Sequence, residues 1–132
     1  MDDDAFLKPD NMPERIEYYC VKKYGDAPRT MGEIARCVYE SLCVRYRDVI
    51  SALSSVTDKK YDTLYVVGGG CKAEYLCEMI SSVCKIKVSA GPVEATAIGN
   101  ALVQFIALKV FDNGEHLKNL IKKSFDIKEY GT

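Results

Sequence analysis

Residues 63–90 read TLYVVGGGCKAEYLCEMISSVCKIKVSA, and the interpretation of this stretch decides the fold class. Thr63-Leu64-Tyr65-Val66-Val67 is a continuous apolar run rather than an alternating one, which suits a strand covered on both faces within a parallel sheet. The run ends abruptly at Gly68-Gly69-Gly70. Beyond the glycines, Leu76, Met79, Ile80 and Val83 fall on one face of a helix, and Ile86-Lys87-Val88 has the form of a short second strand. Residues 63–88 therefore predict one parallel β-α-β unit with a right-handed crossover, and with it an α/β fold class.

A triple glycine between a buried strand and a helix places unhindered backbone at the carboxyl edge of a sheet. Helix N-terminal amides point outward there and nucleotides commonly bind. A tight strand-to-helix turn with no ligand accounts for the same residues, so both readings stand at this point. The stretch Gly68 to Ala73 also satisfies the loose dinucleotide pattern GxGxxA. That reading needs an acid near the end of the second strand to hold a ribose hydroxyl, and residues 86–90 offer none. Lys72 is followed by Ala73 rather than Ser or Thr, so there is no GxxxxGK[ST] phosphate loop, and Lys72 reads as a solvated helix residue. Cys71 sits where a helix start could acidify a thiol. With no base nearby in sequence, a packed thiol is the simpler account. The one histidine, His116, lies in a polar segment and reads as a surface residue.

Upstream, residues 1–10 read as an extended lead-in containing Asp2, Asp3 and Asp4, an acidic run of the kind that is usually solvated. Asn11, Pro13 and Glu14 suit a helix start and Gly25 a stop, predicting a helix over 12–24. Thr30-Met31-Gly32-Glu33 has the form of a capping box. Ile34, Val38, Leu42, Tyr46, Val49 and Leu53 follow at steps of three or four, marking a long helix to about Ser54. Residues 12–54 thus form a helical pair. Downstream, Gly91-Pro92 breaks the chain before a helix over about 94–108, in which Gly99 implies close approach of another backbone, since glycine there costs about 1 kcal/mol relative to alanine. A last amphipathic helix over 115–124 carries Leu117, Leu120 and Ile121.

At 132 residues and 48% hydrophobic, the chain suits one domain with a modest core. Lys plus Arg number 18 against 19 Asp plus Glu, a net charge of -1, so no global field draws it to nucleic acid or an anionic membrane. The six cysteines, at 20, 37, 43, 71, 77 and 84, form no CxxC pair, which excludes a zinc or thioredoxin motif by spacing. They read as small apolar core residues in a reduced compartment. A bridge between Cys20 and Cys37, near the facing ends of two helices, stays open. The absence of a leader-like start and of an apolar run near 18 residues makes a cytoplasmic location the expectation.

The stretch VVGGGCKAEYLCEMISSVCKIKVSAGPVEATAIGNALVQ, residues 66–104, resembles the C-terminal region of the FGGY carbohydrate kinase family, and GPVEATAIGNALVQ at 91–104 resembles its rhamnulose-phosphorylating branch in particular. Phe6, Asn11-Met12-Pro13, Ile16, Glu33 to Cys37, Glu40-Ser41-Leu42, Tyr46 and Arg47 match the same pattern, so the resemblance runs from about residue 2 to Tyr130. It implies residues 1–132 as the C-terminal part of an actin-like (ribonuclease H-like) ATPase domain, mostly helical with a short parallel β-α-β unit. It also implies an enzyme that transfers the γ-phosphoryl group of ATP, with magnesium, to the 1-hydroxyl of L-rhamnulose. The glycine triplet would lie against the adenosine and α-phosphate side of the nucleotide. This makes Gly68, Gly69, Gly70 and the adjoining Cys71 the candidate nucleotide-binding residues. The family's catalytic aspartate, phosphate-binding hairpin and sugar-contacting residues belong to segments upstream, so no residue here is assigned a catalytic role. Where the family has polar pairs, this chain has Lys72-Ala73 and Cys77-Glu78.

A second function class fits the same sequence. With only two credible strands the parent sheet is incomplete, and its open edge and apolar helix faces suit a non-catalytic interaction module that self-associates or pairs with an upstream kinase segment.

Overall fold

The computed structural model describes residues 6–7, 10–111 and 115–131, and the acidic run Asp2, Asp3 and Asp4 lies outside them. In chain order the elements are α1 (Met12–Tyr24), α2 (Met31–Thr57), β1 (Thr63–Val66), a 3₁₀ turn (Gly68–Lys72), α3 (Glu74–Cys84), β2 (Lys87–Ala90), α4 (Ala95–Ala107), α5 (Glu115–Ser124) and β3 (Lys128–Tyr130).

Helix α1 has a proline in its first turn, Glu14 at its positive end and Lys22 and Lys23 at its negative end. It closes on Gly25, whose N–H donates to the Val21 carbonyl at 2.9 Å. In α2 the capping box is formed: the Glu33 N–H donates to Thr30 Oγ1 at 3.2 Å. The Glu33 carboxylate in turn accepts the Arg29 N–H at 2.7 Å and the Thr30 N–H at 3.0 Å. These two backbone donors hold the Glu33 carboxyl below its usual range.

Helix α2 joins two small cores. Its N-terminal half packs Ile34, Cys37 and Val38 against Ile16 and Cys20 of α1. Further along, Tyr39, Cys43 and Tyr46 pack with Leu76, Cys77 and Ile80 of α3 and with Val88 and Ala90 of β2. Burial pushes the Cys43 and Cys77 thiols up. Cys20 and Cys37 are both free thiols. Burial, and then the neighbouring Cys37, raise the Cys20 thiol.

Strand β1 pairs in parallel with β2, in the register Thr63↔Lys87 to Val66↔Ala90. Strand β3 joins the other side of β2 antiparallel, with Val88 opposite Tyr130, so the sheet is mixed and ordered β1-β2-β3. The sequence pattern alone does not announce this third strand. Lys128-Glu129-Tyr130 has no apolar alternation, and its extended form comes from pairing with a strand some forty residues away in sequence.

Two other expectations are corrected. β1 is not covered on both faces: Leu64 and Val66 pack against the main core, whereas Tyr65 is 69% exposed and Val67, just beyond the strand, 51%. The described residues supply a helical layer on one side of this edge strand only. Gly99 does not mark a close backbone approach, because a Cβ built there meets nothing within 4 Å. The whole of α4, apolar as it is, contains no buried residue. Among the described residues no helix is long and apolar enough to cross a membrane.

Candidate functional site

The glycine turn begins where β1 ends. Val67 is extended, and Gly68–Lys72 then coils into the 3₁₀ turn, with Ala73 as the N-cap of α3. The sequence expectation of glycines leading straight into an α-helix start is corrected here. The Ala73 N–H donates back to the Gly70 carbonyl at 3.1 Å, and α3 starts only at Glu74. Three consecutive residues without Cβ atoms tolerate the tighter coil, and its leading amides have no acceptor within the turn's own ladder.

One flank of the turn is the Gly91-Pro92-Val93 segment leaving β2. The Gly91 N–H donates to the Val66 carbonyl at 2.8 Å and the Gly68 N–H to the Pro92 carbonyl at 3.3 Å. The turn is therefore tied at its start to the residues after the second strand. Gly69 and Gly70 are exposed. A Cβ at Gly69 would meet nothing within 4 Å, and one at Gly70 would only touch Val66 Cγ1 at 3.7 Å. The bend is thus not buried beneath its own helices. An incoming group can reach the backbone at Gly69 directly.

Cys71 differs from its neighbours. Its side chain is 9% exposed and belongs to the α2–α3–β2 core, so only its backbone adjoins the open side of the turn. Lys72 is exposed. Lys128 of β3 holds the Glu74 carboxyl below its usual range through a side-chain hydrogen bond and ion pair at the first residue of α3. Sequence reasoning missed this pair, since nothing local links residue 74 to residue 128. His116 is exposed, with its ring centroid 6.4 Å from that of Phe111.

A broad open groove lies elsewhere, along α1, lined by Asn11, Glu14, Arg15, Tyr18 and Lys22 among others. At Gly69 the glycine turn presents an open face. Among the described residues no group of three or more His, Cys, Asp or Glu side chains is placed to hold a metal ion.

Comparison with known proteins follows the same region. Residues 2–108 match the C-terminal domain of the FGGY family of carbohydrate kinases. A protein named rhamnulokinase from Halalkalibacterium halodurans is 40% identical over 130 residues, covering 98% of this chain and 28% of that protein. The rhamnulokinase of Oceanobacillus iheyensis is 42% identical, again over 98% of this chain and 28% of its own length. That of Bacillus subtilis is 35% identical, over 98% of this chain and 27% of its own. The chain thus spans little more than a quarter of the length of these relatives. With a family match running through the glycine turn and all of α4, and relatives aligned across nearly every residue, the chain belongs to the FGGY family of carbohydrate kinases, to their C-terminal domain.

Proposed function

We propose that this chain is the nucleotide-binding C-terminal part of a rhamnulokinase-like sugar kinase, in which Gly68, Gly69 and Gly70, with the backbone of Cys71, border the adenosine and α-phosphate side of ATP. The observation that carries this is the open space at Gly69, on a turn that follows a parallel strand and precedes a helix. The complete enzyme would transfer the γ-phosphoryl group of ATP to the 1-hydroxyl of L-rhamnulose within an actin-like fold. Such transfer depends on positioning and on charge stabilisation, with a base at the attacking hydroxyl. The described residues supply a nucleotide wall and no such base. Their donor set does not suit a magnesium ion, which would be held by the phosphates and by polypeptide outside this chain. Alone, the chain is expected to bind adenine nucleotide without phosphorylating a sugar.

Gly69→Val gives the sharpest test. The added side chain occupies only solvent in this chain, so thermal unfolding should hardly move, while ADP affinity by calorimetry should fall at least about tenfold. Equal ADP binding by the variant and the parent would remove the turn from the site.

A second reading is favoured by one specific observation: α4 carries Val103 at 65% exposure, its C-cap Leu108 is 72% exposed, and β1 is an edge strand of the sheet. Uncovered apolar surface of this kind suits an association face, either for a second copy or for an upstream kinase segment. Sedimentation velocity separates the two readings. A dimer indifferent to ADP and dissolved by Val103→Glu would favour the interaction module. A monomer at tens of micromolar would count against it.

A further inference from the structure

The family match ends at residue 108, yet the alignments with the relatives span 130 residues. The stretch beyond that match includes β3, and its contacts converge on the glycine turn from two sides. On one side the backbone of Asp126 and Ile127 crosses directly over Gly91. A Cβ at Gly91 would lie 2.8 Å from the Asp126 carbonyl oxygen and 3.5 Å from Ile127 Cα. Gly91 precedes Pro92, whose carbonyl accepts the Gly68 N–H. On the other side Lys128 pairs with Glu74, the first residue of α3, one residue after the Ala73 that closes the turn.

The far end of the segment is anchored. Tyr130 packs into the main core, and Ser81 Oγ, which donates to the Ile86 carbonyl at 2.8 Å, lies 3.4 Å from the Tyr130 carbonyl. At Gly131, where φ is +83°, a Cβ would fall 2.1 Å from Ser81 Oγ, so the chain passes α3 where only glycine fits.

We infer that residues 126–131 form a C-terminal strap that sets the geometry of the glycine turn by holding both of its flanks, Gly91-Pro92 and the start of α3, with Lys128 as a positioning residue. Its consequence for a nucleotide rests on the binding role proposed above for the turn. The mechanical coupling does not.

The test uses the whole chain and amide hydrogen exchange at three reporters: the Gly68 N–H bonded to Pro92, the Ala73 N–H bonded to Gly70, and the Ile34 N–H bonded to Thr30 as a distant control. Lys128→Glu and Glu74→Lys should each speed exchange at Gly68 and Ala73 about two- to fivefold, the range of an exposed ion pair, and leave Ile34 unchanged. The double exchange Glu74→Lys with Lys128→Glu should restore the parent rates. Unchanged turn amides would overturn the strap, as would equal acceleration at Ile34, which would mean general loosening. ADP titration of the same proteins separates the two ideas. Responsive amides in proteins that bind no ADP would leave the strap standing and sink the nucleotide role. ADP binding that is unaffected by Lys128→Glu, with unmoved amides, would do the reverse.

Discussion

Ile80→Ala is expected to destabilise the chain by about 2–5 kcal/mol, the range for removing a branched aliphatic side chain from a packed interior. Ile80 is 1% exposed at the middle of α3, and with Val88, Cys43 and Cys77 it is among the largest fully buried side chains. The main core is small, so few neighbours can shift to refill the space. Domains of this kind have about 5–15 kcal/mol of total stability, and the loss would be a large fraction of it. Urea denaturation followed by helical circular dichroism measures it directly. Val56→Ala, at a position 84% exposed near the end of α2, serves as the control and should stay within about 0.5 kcal/mol. A loss below about 1 kcal/mol for Ile80→Ala would mean that α3 is not the buried helix described here.

That prediction was legible from residue spacing alone. Leu76, Met79, Ile80 and Val83 recur at helical steps, and all four pack into one cluster. The Thr30–Glu33 capping box was legible for the same reason, since its partners lie three residues apart. The failures are long-range. Nothing in Lys128-Glu129-Tyr130 announces a strand, because its hydrogen-bonding partner is β2. Val49 and Leu53 continue the apolar stripe of α2 but are 40% and 47% exposed, because the described residues supply nothing to cover them. Gly99 misled in the same way: the sequence implied a neighbouring backbone that the described residues do not provide. Periodicity reports which face an element would bury. It does not report whether the covering partner lies in the same stretch of polypeptide.

The candidate site divides along the same line. The three glycines and their place after a strand were visible, and so was the simpler account of Cys71 as a packed thiol, which matches its 9% exposure. The 3₁₀ form of the turn, its tie to Pro92 and the Lys128 pair with Glu74 beside it were not visible. They depend on chain crossings set by tertiary packing rather than by local propensity.

Gly91→Ala should be the most damaging single-methyl addition at the turn, because two penalties coincide there. The backbone at Gly91 has φ of +122°, a region that L side chains rarely adopt, and forcing alanine into positive φ costs roughly 1–2 kcal/mol. The new Cβ would also sit 2.8 Å from the Asp126 carbonyl oxygen, which is backbone and cannot rotate away, adding about 1–3 kcal/mol for overpacking. A total loss of about 2–5 kcal/mol in urea denaturation is therefore expected. Gly69→Ala adds the same atom one residue from Gly68, the far end of the Pro92 tie. Its Cβ meets nothing within 4 Å, and its φ lies outside the positive range. Restricting the unfolded chain should make that variant neutral, or more stable by about 0.4–1 kcal/mol. The sign of the difference isolates the contact with residues 126–127 from any general intolerance of side chains at glycine. If Gly91→Ala unfolds at the same urea concentration as the parent, the C-terminal segment does not cross over Gly91 in solution. The flank that fixes Gly68 would then be free to move.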